Sequence, residues 1–144
     1  MPRASGQKFH YLDHDTDSVD EEPPVQNTWY EVFHAYDVRL LYCMVTQKND
    51  EVAAKDIEVR WTIDGNVYLR SLSHDDDTSN YWFRDTSPST GGTLGLYAST
   101  TSLNASRYTD KRGHDFKVEV RMTSVPGTNQ SLRCYCVRET LELT

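Results

Sequence analysis

One stretch constrains the chain more than any other. In IEVRWTIDGNVYLRSL, residues 57–72, Ile57, Val59, Trp61 and Ile63 alternate with Glu58, Arg60 and Thr62. Side chains of an extended strand point alternately to opposite faces, so one face of this segment is apolar and the other polar. Asp64-Gly65 follows at once, and Asp-Gly between alternating segments is a strong short-range hairpin signal. Two registers compete. A two-residue loop pairs Trp61 with Tyr68 but sets Val59 against Arg70. A three-residue loop, Asp64-Gly65-Asn66, pairs Ile63 with Val67 and Trp61 with Leu69, keeping apolar beside apolar. The longer loop is the expected one, because a one-residue slip would turn a buried face toward water.

The rest of the chain has the same character. Its 144 residues are 37% hydrophobic and include nine Tyr, three Trp and four Phe, a thin aromatic core that leans toward β structure. TWYEVFHA and VRLLYCMVT read as the first two strands, separated by Tyr36-Asp37. YWFR, TLGLYAS and DFKVEVRMTSV follow, the last with Phe116, Val118, Val120 and Met122 inward and Lys117, Glu119 and Arg121 outward. Between them lie the loops SHDDDTSN and DTSPSTGG and the long connection at 100–114, with Gly91-Gly92 as a hinge or turn. Pro126-Gly127 turns the chain into SLRCYCVRETLEL, a closing strand with a possible bulge. No segment carries a helical stripe. The expected fold is all-β, a single antiparallel β-sandwich or jelly roll with an extended acidic N-terminal arm.

That arm is residues 1–27 and the sandwich residues 28–144. The first 26 residues hold two basic and six acidic residues of a chain whose formal net charge is −7, so the body is nearly balanced. Lys111-Arg112 is its longest basic run, which argues against a nucleic-acid partner. No apolar run reaches the roughly 20 residues that span a bilayer, and MPRASGQKF lacks the apolar middle of a secretory signal. Cys43, Cys134 and Cys136 are an odd number of cysteines, read as reduced thiols in a protein assembled in the cytoplasm.

Each candidate site has a plain alternative. Asp13, Asp15 and Asp17 match the first three ligand positions of a calcium-binding loop, but Ser18 stands where that loop needs Gly and Pro24 where it needs a bidentate Glu. A solvated acidic arm ending at Pro23-Pro24, docking on a basic partner surface, is the preferred reading. His74 to Asp77, HDDD, is a second acidic cluster explained by loop solvation. Cys134 and Cys136 share a strand face and with Cys43 offer three sulfur ligands, but C-x-C on a strand is not the usual zinc spacing, and buried apolar cysteines are expected instead. His10, His14, His34, His74 and His114 stand in no nucleophile-elbow context, and His34 is expected to pack on aromatics in its strand. No catalytic, cofactor-binding or metal-binding residue is assigned, no cofactor is implied, and the chain is not expected to be an enzyme. Of the run Tyr81-Trp82-Phe83, Trp82 faces away from its neighbours and could stack on a sugar or a subunit if exposed, but core burial is the preferred reading.

Residues 28–69 resemble small β-sandwich structural proteins of tailed bacteriophages, in Trp29, Tyr30 and Val32, then Arg39 to Tyr42, then Glu58 to Gly65 with Trp61 in the variable place; Asp37-Val38 replaces the usual Gly before the second strand. The resemblance implies a virion component of the head-decoration, tail or fibre type, assembled in the host cytoplasm, acting on other virion proteins and on copies of itself. It carries no catalytic residues. The alternatives are a carbohydrate-binding sandwich using Trp82 or neighbouring rings and, third, a metal-dependent hydrolase, which would need the acidic clusters at 13–22 and 74–77 to converge in one pocket.

Overall fold

The computed structural model describes residues 9–11, 15–76, 80–85, 94–99, 109 and 111–143. Nine strands make up the described residues: β1 (Phe9–Tyr11), β2 (Asp15–Glu21), β3 (Tyr30–Lys48), β4 (Lys55–Ile63), β5 (Asn66–His74), β6 (Asn80–Asp85), β7 (Leu94–Ser99), β8 (Lys111–Met122) and β9 (Ser131–Leu143). All pairings are antiparallel. The expected all-β sandwich is what forms.

β3 organises it. β9 runs along one of its edges from Val38 to Lys48, and β1 and β2 lie on the far edge of β9. The other edge of β3 serves two branches: residues 30–40 pair with β8, which continues to β4 and β5, while Cys43 to Val45 pair with β6, which continues to β7. The inner faces of both branches meet in one core, with Trp61, Phe83 and Phe116 fully buried. Trp61 packs 6.1 Å from Phe116 and 6.4 Å from Tyr68, between ring centres.

A single strand replaces the two expected between residues 28 and 46. Tyr36-Asp37 is no turn: Asp37 takes a left-handed conformation (φ 55°) within a continuous ladder. Further on, Leu40 pairs with Arg138 and Tyr42 with Val137, leaving Leu41 as the extra residue of a bulge. The bulge changes which positions face the core, from Val38 and Leu40 before it to Cys43, Val45 and Gln47 after it. One strand thereby serves two branches, and the composition break that suggests two strands is a local shift of parity.

The β4–β5 hairpin closes with the shorter loop. Ile63 pairs with Asn66, Trp61 with Tyr68 and Val59 with Arg70. Asp64 (φ 50°) and Gly65 (φ 86°) are both left-handed, as a two-residue type I′ turn requires. Tyr68, Leu72 and His74 point inward and Val67 and Leu69 outward. The expectation from polarity fails because Arg70, opposite Val59, remains exposed although its neighbours on that face are buried.

A candidate docking surface and a buried thiol cluster

The acidic segment is extended, as expected, but residues 15–21 do not stand outside the sandwich. They form an edge strand paired residue by residue with β9, from Asp15 opposite Arg138 to Glu21 opposite Leu132. Its basic partner belongs to the same chain. Arg138 donates from Nε to Asp17 Oδ2 at 2.7 Å, Asp15 lies 3.7 Å from the same guanidinium, and Arg133 pairs with Asp20 at 3.1 Å. Val19 packs against the core. Alternating charges on the outermost strand also discourage indiscriminate edge pairing. Asp13 lies outside the described residues.

The segment after β2 is tied down too. Pro24 is buried, the Val25 amide donates to Tyr30 Oη at 2.8 Å, Gln26 Nε2 donates to the Thr123 carbonyl at 2.8 Å, and the Asn27 amide to that of Met122 at 2.8 Å. These bonds bring the 22–28 loop to the 123–130 loop. A third loop, 49–54, joins them: the Asp50 amide donates to the Thr128 carbonyl at 2.8 Å, and the Thr128 amide donates to the Glu51 carboxylate, holding that carboxyl below the usual range.

Beneath the three loops lies a buried polar network. Gln130 donates to Gln47 Oε1 at 2.7 Å, and Gln47 donates to the carbonyls of Ala53 and His74 at 3.1 and 3.0 Å. Asn49 donates to Gln47 Oε1 and to the Ala53 carbonyl, accepts from the amides of Glu51 and Ala53, and gives its own amide to Asp76 at 2.6 Å. Asp76, one of the expected loop carboxylates, is thus buried and committed to a backbone amide; His74 is buried, its Nδ1 hydrogen-bonded to the Asp75 carbonyl, and Asp77 lies outside the described residues. Satisfied networks of this kind fix one arrangement of the groups they join. Here they hold a surface on which each loop exposes a valine: Val25 at 63%, Val52 at 77% and Val125 at 67%. A cleft of about 290 Å³, lined by Glu22, Pro23, Gly127, Asn129 and Gln130, opens at the same end.

The aromatic run offers no such surface. Trp82 is 5% exposed, with Tyr42 edge-on at 6.3 Å, so no ring face is free to stack on a sugar. The burial of Trp82 counts against the carbohydrate reading. The acidic stretches are likewise spent on separate partners, Asp15, Asp17 and Asp20 on β9 and Asp76 on Asn49. Among the histidines, His34 lies 5.5 Å from the Tyr36 ring and hydrogen-bonds Asp115 at 2.7 Å. His114 contacts Asp37 at 2.7 Å, and that hydrogen bond pushes its pKa up. His10 and His14 have no described side chains.

The cysteines do converge. Cys136 is the cross-strand partner of Cys43, Cys134 lies two residues away on the same face, and all three are buried free thiols. Their sulfurs lie within 4.8 Å of one another, and among the described residues this is the one group of potential metal ligands so gathered. Hydrogen bonding from Cys134 and Cys136 holds the Cys43 thiol well below the ordinary value. Cys134, though Cys136 acts to lower it, is pushed up by Cys43 and by burial; burial, first of all, pushes up Cys136.

No protein-family model and no curated protein matches the sequence. Similar solved structures include that of the infectious bursal disease virus Gx strain (12% identity, 94% of this chain and 32% of that one, TM-score 0.37) and the T13 particle of the same virus (13% identity, 93% and 31%, TM-score 0.39). T=1 particles derived from infectious bursal virus are similar at 11% identity, 93% and 31% coverage and a TM-score of 0.35. The chain spans about a third of the length of these proteins. At such identities and TM-scores the likeness carries no functional weight, and this virus is not a tailed phage.

Proposed function

We propose that the chain is a non-enzymatic structural module of a viral particle, associating with copies of itself and with other virion proteins through the three-loop end. The observation that carries this reading is the set of exposed valines on loops 22–28, 49–54 and 123–130, the last two joined by the network around Gln47, Asn49 and Gln130 and the first tied to the 123–130 side by Gln26 and Asn27. Exposed apolar residues on a pre-ordered surface lose little conformational freedom on docking, which favours stable association. The resemblance of residues 28–69 to phage structural proteins supports the particle setting, with a head-decoration, tail or fibre role and assembly in the host cytoplasm.

Sedimentation velocity on the purified chain over a wide concentration range tests it. Self-association is expected, and the triple variant V25D/V52D/V125D should shift the chain to monomer while leaving its circular dichroism unchanged. A chain monomeric at all concentrations, together with particles that assemble unchanged when it is deleted, would sink the proposal.

A further inference from the structure

We propose that Cys43, Cys134 and Cys136 form a three-sulfur site for one Cu(I) ion, taken up as the chain folds. Three sulfurs at metal–sulfur distances near 2.3 Å around a trigonal ion stand about 4 Å apart, a spacing these three reach by small side-chain adjustments. Cys43 and Cys136 face each other across the β3–β9 ladder, and Cys134 and Cys136 share a strand face, so the backbone itself sets the triangle.

The surroundings select the ion. Among the described residues no histidine or carboxylate joins the three sulfurs, so the tetrahedral set of a structural zinc is incomplete, whereas soft thiolates without nitrogen or oxygen donors favour Cu(I). The walls are apolar and the sulfurs fully buried, so net charge there is costly, and a univalent ion adds the least beside a thiolate. The indole N–H of Trp61, in the same core, is fully buried and has no hydrogen-bond partner. Each further sulfur that ligates as thiolate releases its proton to solvent, so binding weakens as pH falls.

Complete burial dictates how the site is tested. The full chain, reduced under anaerobic conditions, is unfolded and refolded with and without Cu(I) supplied as its acetonitrile complex, then dialysed. One copper per chain is expected, with a sulfur-only shell of three neighbours by X-ray absorption, a higher melting temperature and quenching of the Trp61 emission. C43A, C134A and C136A should each retain at least tenfold less copper, while L132A, which opens the same core without touching a sulfur, retains it. Wild-type chain holding less than a tenth of an equivalent, or holding copper with nitrogen or oxygen neighbours, overturns the proposal even if the cysteine variants fail to fold. Equal retention by the cysteine variants and L132A does the same.

Discussion

Arg138 grips Asp17 through an Nε to Oδ2 hydrogen bond of 2.7 Å, with both side chains largely buried, and this bond fastens the acidic segment to β9. Bonds between ionised groups shielded from water are the stronger ones, while the exposed Arg133–Asp20 pair adds little. The double variant D15N/D17N should lose about 1 to 2 kcal/mol of stability. It should also speed hydrogen exchange at residues 15–21 well before exchange in β4 or β8 changes. Unaltered exchange in β2 would show that backbone pairing alone holds the strand.

The valine-bearing loops depend on Asn49. Its carboxamide serves two carbonyl or amide oxygens and two backbone amides, and no other residue type of that size offers two donors together with two acceptor sites. Asn49→Ala takes their acceptor from the part-buried amides of Glu51 and Ala53, while the Ala53 carbonyl and Gln47 Oε1 each keep another donor, and should cost about 1 to 3 kcal/mol. If the loop end is the docking surface, the same variant should also weaken self-association at temperatures where the sandwich is still folded. Denaturant unfolding and sedimentation, run side by side, separate the two effects.

Two histidines set opposing pH dependences. Burial lowers the pKa of His74 from 6.5, so the unfolded chain takes up its proton first and the stability His74 allows is lost as pH falls below about 6.5. Tyr81 lies edge-on to this ring at 4.4 Å, and among the described residues no carboxylate hydrogen-bonds it. His114 behaves in the reverse sense: the hydrogen bond to Asp37 raises its pKa, giving stability that is present below 6.5 and fades as pH rises through the raised value. Melting temperatures from pH 5 to 8 should therefore fall less steeply on the acid side for His74→Leu and more steeply for His114→Gln. Parallel curves for all three proteins would remove both histidines from the account.

Much of the sandwich was legible because strand alternation is a local property. The inward faces of 57–63 and 116–122 are where the pattern puts them, and the three cysteines are buried as expected of small apolar residues. What the sequence hid is what depends on neighbours. Leu41 reads as one more apolar strand residue, and only the partner strand reveals it as the bulge that reverses parity. The aspartates of β2 look solvated until β9 supplies Arg133 and Arg138 from more than a hundred residues away. Trp82 was placed correctly on the face opposite Tyr81 and Phe83, but the alternation cannot say that both faces of β6 are covered. The same holds for the thiols: C-x-C sets two on one face, and the β3–β9 register brings the third.

The hairpin register offers the sharpest test of that distinction, through two glycines. Gly65 is left-handed at φ 86° with open space where a Cβ would stand, so Gly65→Ala meets only backbone strain and should cost about 1 kcal/mol. Gly113 faces a different obstacle. A Cβ there would stand 2.4 Å from Ile63 Cγ2, at the point where the Asp64 carboxylate accepts the amides of His114 and Asp115 and so joins the hairpin turn to the start of β8. Gly113→Ala must displace Ile63 or spread the turn from β8, at a cost of about 1 to 3 kcal/mol. Truncating the same neighbour with Ile63→Ala, which removes Cγ2, should make the double variant less unstable than the sum of the two single losses, whereas it should show no such coupling with Gly65→Ala. A three-residue loop would end both left-handed positions and the contact with Ile63, so additive costs in the Gly113–Ile63 pair, measured by a double-variant cycle in urea, would count against the two-residue turn.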